Sequence, residues 1–117
     1  MYNTAGATLT VNGGVIRQNI SGTYGGAVVN SGTMTVTGGA FTNNEAAMNG
    51  GAIWNGDRAT LTLKGGSITG NMAGDRGSGI FDRNDGTIYA EGSPVVKDNA
   101  GGNLFLNNSR LSFSGSL

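Results

Sequence analysis

Neither cysteine nor histidine occurs in the 117 residues, and Pro94 is the lone proline. Without thiols there is no disulfide framework and no thiolate metal site; without imidazole the commonest metal ligand and general base are missing as well. Most catalytic constellations are thereby removed, and nothing in the pattern suggests a cofactor. Charge is scarce too, since seven basic and seven acidic residues cancel to a formal net charge of zero. Binding to nucleic acid or to an anionic membrane draws on clustered Lys and Arg, which are absent. No basic-then-apolar leader follows Met1, and no apolar run approaches the roughly 20 residues of a spanning helix. We therefore expect a soluble module that neither binds nucleic acid nor inserts into a membrane, an excerpt of a longer surface protein.

Glycine is what the chain has in quantity, at 23 residues. With so little proline and with 37% apolar residues, many of them β-branched, the chain suits neither a collagen helix nor plain disorder. The glycines are also evenly spaced. Aligning TLTVNGGVIRQN (8–19), TMTVTGGAFTNN (33–44) and ATLTLKGGSITGN (59–71) puts Gly-Gly pairs at 13–14, 38–39 and 65–66. A fourth copy, TIYAEGSPVVKDN (87–99), follows, and RLSFSGSL (110–117) begins a fifth. A second register runs through Gly25-Gly26-Ala27-Val28, Gly50-Gly51-Ala52-Ile53, Gly77-Ser78-Gly79-Ile80 and Gly101-Gly102-Asn103-Leu104.

Each period of about 25 residues thus holds three segments. The first alternates apolar and polar residues (Leu9/Val11, Met34/Val36, Leu61/Leu63, Ile88/Ala90, Leu111/Phe113), so one face is buried and the other wet. A second carries Ile16, Phe41, Ile68 and Val96, each three residues before an asparagine, and the third is the GGA-type strand. Length varies only in the connections, as stacked coils require. The whole chain, 1–117, is predicted to be a single all-β domain: a right-handed parallel β-helix, or β-solenoid, of about four coils of three short strands. Gly25, Gly26, Gly50 and Gly51 mark corners, where a missing Cβ permits positive φ or close approach of coils. Asn19, Asn44, Asn71 and Asn99 are expected to form a corner ladder.

The GGA-aliphatic units at Gly25–Val28 and Gly50–Ile53, with FTNN at Phe41–Asn44, resemble the GGA(I/L/V) and FxxN tetrapeptides of the chlamydial polymorphic outer-membrane protein family. That resemblance implies a β-helical adhesin passenger, secreted or displayed on a bacterial surface, with a host protein or glycan as partner. GGSITGNMAGDRGSGI similarly resembles right-handed β-helix repeats in large surface proteins of gut bacteria.

Three features are candidates for function. Thr8, Thr10, Thr33, Thr35, Thr60 and Thr62 align as a Thr-x-Thr array, which resembles the ice-binding face of some antifreeze proteins. Trp54, Phe81 and Phe105 align with Val29 as one stripe. If that stripe points outward it is a binding patch; if inward it is core stacking, and alternation leaves both open although the size of the rings favours the core. Asp57, Arg58, Asp75, Arg76, Asp82, Arg83 and Asp85 fall in connections, with Arg58 aligned over Asp85 as a solvated ion pair. A carbohydrate-active enzyme would instead gather such groups in a groove on one sheet face. Bare coil ends lead us to expect end-to-end homo-oligomers.

Overall fold

The structure, a computed structural model, describes residues 1–107 and 110–113, with side chains through Leu106. The chain winds as stacked coils. The first comprises β1 (Tyr2–Asn3), β2 (Thr8–Val11), β3 (Val15–Arg17) and β4 (Ile20–Ser21); the second β5 (Val28–Asn30), β6 (Thr33–Val36), β7 (Ala40–Thr42) and β8 (Glu45–Ala46). The third has β9 (Ile53–Asn55), β10 (Thr60–Leu63), β11 (Ser67–Thr69) and β12 (Met72–Ala73), and the fourth β13 (Ile80–Arg83), β14 (Thr87–Ala90) and β15 (Val95–Lys97). A further turn starts with β16 (Leu104–Asn107) and β17 (Arg110–Phe113).

All pairing is parallel and between successive coils, in the orders β1-β5-β9-β13-β16, β2-β6-β10-β14-β17, β3-β7-β11-β15 and β4-β8-β12. This is a parallel β-helix of about four turns, all-β throughout the described residues. It departs from the expected three strands per coil by a fourth, two-residue strand after the corner asparagine. Period-2 reading overlooked that strand because two residues are too few to alternate.

The register columns fill the core. Leu9, Met34, Leu61 and Ile88 stack in one column; Ile16, Phe41, Ile68 and Val96 form a second, and Val28, Ile53, Ile80 and Leu104 a third. Met34, Phe41, Ile53 and Leu61 are fully buried. The inward placement expected of Leu111 and Phe113 lies outside the described side chains. At the corner, an added Cβ on Gly51 would come 2.2 Å from the Ser78 carbonyl oxygen, so the coils approach more closely there than any side chain allows.

The buried asparagines of this core are hydrogen-bonded in ladders. Asn19 Nδ2 donates to Asn44 Oδ1 (3.0 Å), Asn44 to Asn71 (2.9 Å) and Asn71 to Asn99 (2.9 Å). Each Oδ1 also accepts the backbone N–H of the asparagine one coil earlier, at 2.9–3.1 Å. Left-handed backbone just before each amide, at Gln18, Asn43, Gly70 and Asp98, turns it inward. A second ladder joins Asn3 to Asn30 (2.9 Å), Asn30 to Asn55 (2.8 Å) and Asn55 to the Asp82 carboxylate (2.8 Å).

Asn71 is fully buried, accepts two bonds and donates to Phe41 O and Thr69 O as well as to Asn99. Replacing it leaves several buried groups unsatisfied, each costing about 1–3 kcal/mol. Asn71→Ala is therefore expected to lower stability by about 4 kcal/mol, whereas Asn19→Ala, at the exposed end of the ladder, is expected to cost about 1 kcal/mol. Urea denaturation of the two variants checks the difference.

Candidate functional site

Strands of the first sheet are so short that their outward face has one dominant position per coil. In β9, Ile53 and Asn55 point inward, to the apolar core and the amide ladder, which leaves Trp54 outside. The same register carries Tyr2, Val29, Trp54, Phe81 and Phe105 along one outer column. The size of the rings, which favoured a place in the core, is overruled. Val28, Ile53, Ile80 and Leu104 take the inward places, and the rings are shielded by one another.

That shielding has a definite geometry. Phe81 and Phe105 stack at 5.2 Å with planes 5° apart, which with the neighbouring turns leaves Phe81 only 6% exposed. Tyr24 precedes the Gly25 corner and is bridged to Asn49, which is in turn bridged to Arg76, so these three form a flanking column. Members of that column reach diagonally to the next coil. Tyr24 stacks on Trp54 at 5.2 Å, and the Arg76 guanidinium lies 4.9 Å over the Phe105 ring. Trp54 is half-buried and lies against Gly56, where an added Cβ would come 2.7 Å from ring atom Cζ3.

Two hollows border the stripe. One, of about 600 Å³, is lined by Tyr2, Ile20, Ser21, Thr23, Tyr24 and Trp54 among others; a second, of about 230 Å³, lies between Tyr24, Asn49, Trp54, Phe81 and Arg83. Sequence reasoning missed Tyr24 and Tyr2. Tyr24 sits immediately before a GGA corner and Tyr2 in the first coil, whose copy of the third segment is the least complete in the alignment.

The threonines occupy a different sheet. Thr8, Thr33, Thr60 and Thr87 are in register, as are Thr10, Thr35, Thr62 and Tyr89. All point away from the core; Thr8, Thr10 and Thr33 are exposed and Thr35, Thr60 and Thr62 half-exposed. The next outward column has Thr37 bonded to Asn12 at 2.6 Å and Lys64 paired with Glu91 at 3.5 Å.

Of the charged residues expected in connections, Asp82 and Arg83 instead end β13, with Asp82 buried in the ladder; the ion pair that forms is Asp57 with Arg83 at 3.3 Å, not Arg58 with Asp85. Both Arg58 and Asp85 have positive φ, at 59° and 62°, so they serve as turn residues. The acidic side chains remain dispersed: among the described residues no three His, Cys, Asp or Glu groups gather as metal ligands. No helix of the described residues is long and apolar enough to cross a membrane. Comparison with protein-family models, with curated proteins and with solved structures returned no match.

Gly56 tests the seat of the indole. Its φ lies outside the left-handed region, so a Cβ there meets chiefly the ring. Gly56→Ala is expected to move Trp54 off Tyr24 and red-shift the emission of this single tryptophan, while the fold persists. Tyr24→Ala is expected to shift it in the same direction. Unchanged emission in both would contradict this packing.

Proposed function

We propose that this chain is a non-catalytic β-helix module of a secreted or cell-surface bacterial protein, acting as an adhesive display scaffold for a host protein or glycan. The observation that carries the reading is the outward aromatic stripe, in which Tyr2, Trp54, Phe81 and Phe105 share one column with Tyr24 stacked beside it. Of the stripe, Tyr2, Trp54 and Phe105 keep exposed ring surface while Phe81 is buried beneath its neighbours, and such flat apolar faces suit binding to sugar rings or a protein anchor. The likeness of the GGA-aliphatic and FTNN units to adhesin passenger repeats supports the surface placement. A non-catalytic role is supported by the exposed ion pairs Asp57–Arg83 and Asp75–Arg76, which do not converge on a groove, and by Asp82, which is buried in the amide ladder.

Trp54→Ala is expected to weaken binding on a glycan array or a panel of host surface proteins at least tenfold while leaving the far-ultraviolet circular dichroism unchanged. Thr35→Ala, on the other sheet, is expected to leave binding unaffected. If binding survives Trp54→Ala, the stripe is not the adhesive surface.

The in-register threonine columns favour a second reading, an ice-binding face. Their rows repeat at the coil rise of about 4.8 Å. Thermal hysteresis lost in Thr35→Lys would support this reading, and its absence in the unaltered protein would remove it.

A further inference from the structure

The aromatic stripe is interrupted at its middle. Tyr24 stacks on Trp54 and Phe81 on Phe105, each pair at 5.2 Å, yet no ring contact joins Trp54 to Phe81 among the described residues, although the two are partners in register. The cause lies one position past the paired Asn55 and Asp82, where the third coil has Gly56 and the fourth has Arg83. With no side chain at Gly56 the indole lies over that backbone, its atom Cζ3 only 2.7 Å from where a Cβ would stand. Beside the break opens the hollow of about 230 Å³ lined by Tyr24, Asn49, Trp54, Phe81 and Arg83. Every lining residue falls between β4 and β14, so strands of the same sheet, β1 and β16, lie beyond it on either side.

The polar groups around this hollow have bonding capacity to spare. Asn49 Oδ1 accepts the backbone N–H of Arg76 at 3.2 Å, and its Nδ2 donates to no described residue. Arg83 meets Asp57 through Nε, 3.3 Å from Oδ1, and both side chains remain about half exposed. A guanidinium carries five N–H donors, so one carboxylate does not use them all. Asp57 also balances the charge of Arg83, as Asp75, at 3.8 Å, balances that of Arg76, which leaves no surplus charge to select an ionised ligand. A flat aromatic guest fills the space but sets the Asn49 and Arg83 donors against an edge with nothing to accept. What matches is a small neutral ring with an apolar face and hydroxyls round its rim.

We infer that this hollow is a subsite for one neutral hexopyranose unit of a glycan, its C–H face laid against Trp54 and its hydroxyls bonded to Asn49 and to the Arg83–Asp57 pair. The inference rests on reading the aromatic stripe as an adhesive surface, and it names the class of ligand that the stripe takes. The volume agrees: about 230 Å³ lies below the roughly 300–1,000 Å³ of pockets for drug-sized ligands, which suits a single ring. Hydroxyls both donate and accept, so Asn49 Nδ2 and Arg83 gain acceptors while Asp57 accepts in return.

The probes are the methyl glycosides of glucose, galactose and mannose, with methyl glucuronide and phenol as the charged and aromatic alternatives, each titrated into the full chain and followed by two-dimensional NMR. At least one hexoside is expected to shift the Trp54 indole N–H and Asn49 amide resonances saturably, with glucuronide and phenol binding at least fivefold more weakly. Arg83→Met and Asn49→Asp, which remove donors and nearly keep side-chain size, are each expected to weaken that hexoside at least fivefold. The inference is overturned if no hexoside shifts these resonances, if glucuronide or phenol binds as tightly, or if both variants bind as the unaltered chain does. Glycan-array or host-protein binding that is lost in Trp54→Ala but kept in Arg83→Met and Asn49→Asp also overturns it, while leaving the adhesive surface standing. Saturable hexoside shifts at these residues, with array binding that survives Trp54→Ala, do the reverse.

Discussion

Amide groups buried at the bends of each coil are the constraint on which the rest of this molecule depends. Strands of two to four residues place a corner after every few peptide units, and at the asparagine corner the backbone N–H of Asn19, Asn44 and Asn71 meets a side-chain oxygen instead of a carbonyl. Asn44, Asn71 and Asn99 supply it, bonding upward, downward and back onto the carbonyls of Ile16, Phe41 and Ile68. A buried donor without a partner costs more than a made bond gains, so the amides must stay in register. Register in turn sets the period. Insertions are tolerated between β9 and β10 or between β13 and β14, where the backbone loops outward, and not between an asparagine and the strand it braces.

The same constraint dictates what the surface presents. With Ile53 committed to the core and Asn55 to the ladder, the remaining residue of a three-residue strand has only the outside to face. The aromatic stripe is therefore a by-product of corner chemistry, stabilised secondarily by ring stacking between coils. On the neighbouring sheet the strands are longer, with two outward positions per coil, and small threonines suffice. One scaffold thus displays an apolar column and a hydroxyl-bearing face on adjoining sides.

Ladder polarity makes the two ends of the stack chemically unequal although the coils look alike. Donation runs the same way at every step, with Asn103 accepting from Asn99 as a further rung and Asp82 accepting from Asn55.

By itself the sequence determined the period, the inward columns and the corner asparagines, because each is written as a residue type recurring at one spacing. The second ladder was legible in the same way, at Asn30, Asn55 and Asp82, but hid behind the more conspicuous Gly-Gly pairs. Only the tertiary structure decided which way Trp54 faces, since a three-residue strand alternates too briefly to reveal its phase. It also decided that Arg83 pairs with Asp57 and that Tyr24 lies on Trp54, contacts that cross between coils and depend on loop conformation. The role of Asn103 belongs to this second group. Its residue type suggests a corner, yet its place as a further rung of the ladder arises because the short link from Asn99 brings its amide oxygen onto the backbone N–H and Nδ2 of Asn99.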